Sequence, residues 1–315
     1  MQPRRIASLL ASGTEILYAL GLGDRVVAVS HECDFPAEVA GKPRVTFTHV
    51  DAQASSGEID TQVRERTAAG EALYEIDVEQ LAALEPELIV TQSQCDVCAV
   101  RYADVVDAVQ NDPRLKNTQV VDLNPTTLGG ILDDVRRVAA AADVPDAGER
   151  VVGQLEARIA AVRSRAEHLP PKERPRVACI EWIEPLMLAA NWMPELLELC
   201  GAAETPVKKG AHSTETPWEV FIEFAPQTIV FMPCGFPLAQ ALREWRQLAA
   251  RTDWAEIPSV RQVRLWAVDG NAYFNRSGPR MIDSLEILAH LIHPDLFPQP
   301  SCVADPARVW QRLDR

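Results

Sequence analysis

No apolar run in this chain approaches the roughly 18 residues that a membrane helix needs, so a membrane-embedded protein is not expected. The N-terminus, MQPRRIASLLASGTEI, starts basic but passes after a short apolar stretch into residues with strand and helix character. That is not the layout of a secretory signal. As it stands the sequence is therefore expected in the cytoplasm, and outside it if an upstream signal has been removed. Basic residues are also scarce, with 31 Lys and Arg against 45 Asp and Glu and a formal net charge of -14. Phosphate-rich partners are held by Lys and Arg that displace counterions, so nucleic acid is set aside. Missing too are G-x-S-x-G, the G-K-[ST] phosphate loop, G-x-G-x-x-G and H-E-x-x-H. No catalytic residue and no required cofactor are expected.

What is present is a chain of 315 residues, 47% hydrophobic and 24% charged, enough for one large core or two ordinary ones. Short β-branched runs alternate with helical spacing: strands at 5–10, 26–29, 88–91 and 119–123, helices at 16–20, 78–84, 102–109 and 127–142. Such alternation predicts a mostly parallel sheet covered by helices on both faces. From Asp146 to Leu169 the pattern becomes one long helix with Val151, Leu155, Ile159 and Val162 on one face, stopped by Pro170 and Pro171. The alternation then restarts, with strands at 176–180, 228–232 and 263–268 and helices at 193–200, 218–224, 238–250 and 279–292. The expected fold class is α/β: two Rossmann-like lobes, 1–145 and 171–298, joined by a helix at 146–170, with a ligand cleft between them and a tail at 299–315. A single doubly wound sheet is the alternative. The segment 46–77 breaks the alternation, and its Ser55-Ser56-Gly57-Glu58 is a capping box that should start an extra helix closed by Gly70. This insertion would either lie over the cleft or decorate the surface.

In open α/β sheets ligands bind beyond the carboxyl ends of the strands. The loops there supply Ser12, Gly13, Thr14 and Glu15, read as a turn with an N-cap; then His31, Glu32 and Cys33; then Gln92 to Cys98. The second lobe supplies Glu181, Trp182, His212, Cys234, Tyr273 and Phe274. Trp182, Trp192, Tyr273 and Phe274 are candidates to stack on a planar ligand or else to fill the core.

Seven cysteines at scattered positions do not form a small disulfide framework. One C-x-x-C pair, Cys95 and Cys98 in TQSQCDVCAV, has three readings. The thiols hold a soft metal, with Cys33 or Cys234 and the imidazoles of His31 and His212 nearby; they form a redox dithiol; or they are buried hydrophobes. A zinc signature needs a second spaced pair, which the sequence lacks.

Five segments in order, RIASLLASGTEILYALGLGDRVVAVSHECDFP, VEQLAALEPELIVTQ, NWMPELLELCGA, TPWEVFIEFAPQTIVFM and AYFNRSGPRMIDSLEILAHLI, resemble the substrate-binding proteins of ABC importers for vitamin B12 and iron chelates. The resemblance covers about residues 4 to 293 and is closest to a branch identified as cobalamin-binding. It implies two α/β lobes on a rigid helical backbone and a non-catalytic, monomeric protein that holds a corrinoid or another metal chelate in its cleft. It also implies an ABC permease as partner, engaged by one glutamate on each lobe; by local match these are Glu79 and Glu219. Each also stands in the first turn of a predicted helix, where the dipole favours a carboxylate. Two aromatic platforms of the vitamin B12-binding members are replaced here by Glu32 and Gln92, so the cleft is expected to be more polar. The second functional reading is a cytoplasmic thiol-rich metal-binding or redox protein using Cys95 and Cys98.

Overall fold

The computed structural model describes residues 3–95, 97–250 and 264–313. The first lobe runs β1 (Ile6–Ser8), α1 (Ala11–Ala19), β2 (Val26–Val29), β3 (Thr46–Thr48), α2 (Ser56–Ala69), β4 (Tyr74–Ile76), α3 (Val78–Ala83), β5 (Leu88–Gln92), α4 (Tyr102–Asn111), β6 (Gln119–Leu123) and α5 (Leu128–Ala141). Its sheet has the order β2-β1-β5-β6 with every pairing parallel. Central strand β5, LIVTQ, is buried at all five positions. Both of its faces are covered, so its apolar residues Leu88, Ile89 and Val90 run consecutively rather than alternate.

Helix α6 (Pro145–Ala166) links the lobes. Proline at its first turn is pre-set for helix and removes an N–H that would have no partner there. Its buried positions Val152, Leu155, Val162 and Ala166 form one stripe, while Arg158 reaches Asp283 at 2.6 Å and Glu286 at 2.8 Å on the second lobe. The second lobe runs β7 (Val177–Trp182), β8 (Met187–Leu188), α7 (Met193–Leu199), α8 (Trp218–Phe224), β9 (Thr228–Phe231), α9 (Leu238–Ala249), β10 (Arg264–Val268), α10 (Met281–Ile292) and β11 (Trp310–Arg312). The order is β11-β10-β9-β7-β8, with a parallel centre and antiparallel edges.

One apolar core runs from Leu17, Leu88 and Val135 through Val152 and Leu155 of α6 to Leu196, Leu285 and Leu288 of the second lobe. Separate clusters fill the outer face of each sheet. Each fully buried Leu or Ile contributes about 1.5–3 kcal/mol, so the shared core fixes the two lobes on α6. The two sheets are distinct, which excludes the single doubly wound sheet.

Three expectations change. Helix α1 begins at Ala11 with Leu10 as N-cap and no side-chain cap, so Ser12 to Glu15 are the helix's first turn and not a turn before it. Residues 299–313 are no loose tail: β11 pairs with β10, and Val303, Val309 and Leu313 are buried. The insertion holds helix α2 as its capping box predicts, with Ser55 and Glu58 bonded reciprocally and Gly70 left-handed at φ 70°, but it also contains the antiparallel pair β3-β4. The expected first residue of β10, Val263, lies outside the described residues.

Candidate ligand-binding cleft

The insertion reaches the second lobe. Ser56 of α2 donates its N–H (3.1 Å) and hydroxyl (2.7 Å) to Glu244 Oε2 of α9, and Gln240 donates to the carbonyls of Ala52 and Ala54. Arg64 pairs with Glu215 at 2.6 Å. The segment is thus a strap between the lobes, and β4 brings Tyr74 to their facing side. The Tyr74 ring stacks on His31 with centroids 5.7 Å apart, and its hydroxyl donates to the Val97 carbonyl. His31 Nδ1 lies 2.7 Å from Thr46 Oγ1 and Nε2 lies 3.3 Å from Glu32 Oε1. The hydrogen bond with His31 holds the Glu32 carboxyl below its ordinary pKa, against the opposing effect of burial.

The second lobe answers with Glu181, Trp182 and Cys234 at the ends of β7 and β9. Burial pushes Glu181 up to about 7, with a Ser213 hydrogen bond opposing it. The Cys234 N–H donates to the Glu181 carbonyl at 3.0 Å. Cys234 keeps a solvent-facing side, yet crowding by protein pushes its thiol up to about 12, with Glu181 of one lobe and Glu32 of the other adding to the effect. The charge of one carboxylate from each lobe thus acts on this thiol, with Arg276 opposing. Trp182 meets Phe236 edge-on at 5.4 Å.

Beside this group the lobes touch through ions. Arg276 gives one guanidinium nitrogen to Asp34 Oδ1, the other to Asp34 Oδ2 at 2.9 Å and to Asn271 Oδ1 at 3.1 Å, and stands 3.4 Å from Glu15 Oε1. Arg280 reaches the same Glu15 oxygen at 2.6 Å and lies over the Phe35 ring at 3.9 Å. Burial alone would raise Asp34, but the Arg276 bonds and charge outweigh it and hold it low. Gly278 packs against Ser12, 3.3 Å from where a Cβ would sit, which brings α1 and the 270–280 loop together. Asp34, Arg276 and Arg280 were not singled out as site residues from sequence, because a charge carries no mark of a partner over two hundred residues away, and Tyr74 of β4 meets His31 and Val97 only through the fold of the insertion.

Other expected site residues fall elsewhere. Cys33 is fully buried with Sγ 3.1 Å from Thr14 Oγ1, and burial pushes it up to about 11. Trp192 and Phe274 belong to the main core, where the Trp192 indole donates to the Phe274 carbonyl at 3.1 Å; neither offers a ring to the cleft. Ser12, Gly13 and Thr14 are buried; Ser12 meets Ser277 and Gly278 of the second lobe, while Gly13 and Thr14 pack within the first. Tyr273 is half-buried near Arg280, and His212 is exposed beside Ser213, whose hydroxyl accepts from the Ala190 N–H. Gln92 is buried and clamps the next loop, donating to the Cys95 carbonyl and accepting from the Cys95 N–H, both at 2.8 Å. Cys95 and Cys98 are joined in a disulfide. A thiolate is the metal ligand and the paired sulfurs offer none, which opposes the metal site expected there; a disulfide is also the oxidised form of a redox pair. Glu79 and Glu219 stand exposed in the first turns of α3 and α8, with Glu79 bound through both oxygens to Arg114.

Two separate sheets, one in each lobe, are joined by one long helix, and comparison with known proteins agrees with that architecture. The periplasmic binding protein family matches residues 6–272. An uncharacterised ABC transporter substrate-binding lipoprotein of Bacillus subtilis is 24% identical over 302 residues, covering 94% of this chain and 82% of its own. The vitamin B12-binding protein of Vibrio cholerae is 22% identical over 295 residues, covering 90% and 86%. A periplasmic heme-binding protein from Pseudomonas aeruginosa superposes with a TM-score of 0.70 at 15% identity, covering 99% of each chain. The periplasmic vitamin B12-binding protein of Vibrio cholerae gives 0.64 at 21% identity, covering 95% and 99%. With the match spanning both lobes and the helical backbone between them, the chain belongs to the periplasmic binding protein family.

Proposed function

We propose that this protein is the substrate-binding component of an ABC importer and holds a metal chelate, with a corrinoid as the leading ligand, between its two lobes. The observation that carries the reading is the convergence of His31, Glu32 and Tyr74 from one lobe with Glu181, Trp182 and Cys234 from the other, in a chain of this family. Vitamin B12-binding proteins recur among its relatives. Tyr74, carried by the insertion, supplies an aromatic face where Glu32 and Gln92 do not. No step of catalysis is assigned, since binding and release are the whole task.

The site of action is outside the cytoplasm, where a permease takes over the ligand. The Cys95–Cys98 disulfide supports this, because such bonds persist in oxidising compartments. Among the described residues no helix is long and apolar enough to cross a membrane. Glu79 and Glu219 are the docking carboxylates, one on each lobe.

Calorimetric titration of the purified protein with cobalamin, cobinamide, haemin and a ferric siderophore tests the reading. Binding of a corrinoid at micromolar or tighter affinity is expected. Failure of all four ligands to bind overturns it.

A further inference from the structure

The arginines that reach the lobe contact are already occupied. Arg276 is bound by Asp34 and Asn271 and approaches Glu15; Arg280 is bound by Glu15. Arg44, at the back of the 30–33 loop, turns its guanidinium onto the carbonyls of Ser30, His31 and Cys33 at 2.5–3.1 Å. The carboxylates are less well matched. Glu32 has only the His31 imidazole at 3.3 Å, Glu181 is opposed to burial only by a Ser213 hydroxyl, and Glu15 Oε2 is buried with no hydrogen-bond partner. Among the described residues, the unmatched groups at the lobe contact are thus acids, while the guanidiniums there are engaged.

Resting on the proposed function, we infer that this cleft selects metal chelates whose periphery is uncharged or cationic, such as the carboxamides of a corrin, and rejects chelates bearing carboxylates, such as the two propionates of haem. A carboxylate on the ligand has two choices. It displaces Asp34 or Glu15 and leaves that acid desolvated without its cation, or it lies unpaired beside Glu32 and Glu181. Both are unfavourable in a partly dehydrated cleft. A carboxamide N–H instead gives the half-exposed Glu32 a donor beyond its single His31 contact. Selection here acts as much by exclusion of the wrong charge as by attraction of the right one.

The test compares ligands that share one ring. Cyanocobalamin and a derivative with a peripheral amide hydrolysed to carboxylate are titrated into the intact protein, with haemin as a third ligand. The carboxylate form is expected to bind about tenfold or more weakly, and haemin more weakly still. Asp34→Asn, at a half-exposed position, frees one arm of Arg276 and should narrow the amide-to-acid ratio at least about threefold. Equal affinity of wild-type protein for the amide and acid forms overturns the inference while leaving the proposed function standing, and so does tighter binding of haemin. The wild-type comparison decides this even where the variant fails to fold. Loss of binding to every ligand overturns the proposed function itself, and this inference with it.

Discussion

Arg276 of the second lobe holds Asp34 of the first through both carboxylate oxygens, 242 residues apart in the chain. The pair is unevenly placed: the arginine side chain is 8% exposed and the aspartate 48%. The guanidinium is thus the committed, desolvated partner, and Glu15 and Asn271 complete its shell.

Removal of that guanidinium should be costly. Breaking a buried charge pair leaves the other member uncompensated, and here Glu15 would be the stranded acid, with only Arg280 left. Arg276→Met is expected to lower stability by roughly 2–4 kcal/mol in urea unfolding. Arg276→Lys should recover only part, because an ammonium cannot reproduce the two-pronged contact. A loss within about 0.5 kcal/mol would show that the lobes do not depend on this contact.

The strap gives a second prediction. Ser56→Ala removes the hydroxyl that donates to Glu244 and leaves only the backbone N–H on that carboxylate. A buried carboxylate short of a donor costs about 1–3 kcal/mol, and here the cost falls on strap attachment. Amide exchange in α2 and β3-β4 should rise while that of β5 stays unchanged, measured by hydrogen–deuterium exchange. Uniform change across the molecule would mean that the strap is not a separate unit.

Much of this architecture was legible because it is local. The capping box at Ser55 and Glu58, the apolar run of β5, and the Pro-bounded α6 each carry their signal within a few residues. Helix α1 was misread at its start because Ser12 has the chemistry of a cap, yet Leu10 holds that position with no side-chain bond. Strand β11 was missed because its residues, Trp310, Gln311 and Arg312, bury only one side on an edge. The site was less legible than the fold. Gln92 looked like a pocket residue because of its place at the end of β5, and only the backbone path of the next loop turns its amide onto Cys95. The ion contact of Glu15, Asp34, Arg276 and Arg280 joins distant loops and leaves no periodicity to read.

A pH dependence follows from Asp134. Burial pushes its carboxyl up to about 7, with Arg137 opposing and Asp122 and Asp133 adding to the rise. In the unfolded chain an Asp titrates near about 4. Between these values the folded protein holds a proton that the unfolded chain releases, so stability falls as pH rises from about 4 through about 7 and stays lower above that. The effect is on the order of a few kcal/mol. Asp134→Asn should flatten this slope, read from urea midpoints at pH 5 and pH 8. An unchanged slope would assign the dependence elsewhere.

Thiol labelling separates the cysteines. Cys95 and Cys98 should resist alkylation until a reductant opens their disulfide, and the buried Cys33, Cys179 and Cys200 until the protein unfolds. Cys234 is exposed but its thiol sits at about 12. Its labelling should be slow at pH 7 and accelerate about tenfold per pH unit, since the thiolate is the reactive form. Fast labelling at pH 7, located by peptide mass spectrometry, would contradict a Cys234 thiol raised by burial and by the charges of Glu181 and Glu32.

The proposed docking acids allow a test in which folding and function separate. Glu79 already pairs with Arg114 at 2.8 Å, but the pair is exposed, and such pairs add little to stability. Glu219 leads α8 from an exposed position. Glu79→Lys and Glu219→Lys together should therefore leave the unfolding midpoint and the ligand affinity close to wild type, changing only the charge each lobe presents to a permease. Complex formation with the cognate permease, measured by surface plasmon resonance, is expected to fall at least about tenfold and to lose its salt dependence, because complementary charge sets encounter and orientation. Each single reversal should give part of the loss, as one lobe still engages. Undiminished complex formation by the double variant would remove these two residues from the docking surface and leave their place in the first helical turn, beside the dipole's positive end, as their whole role.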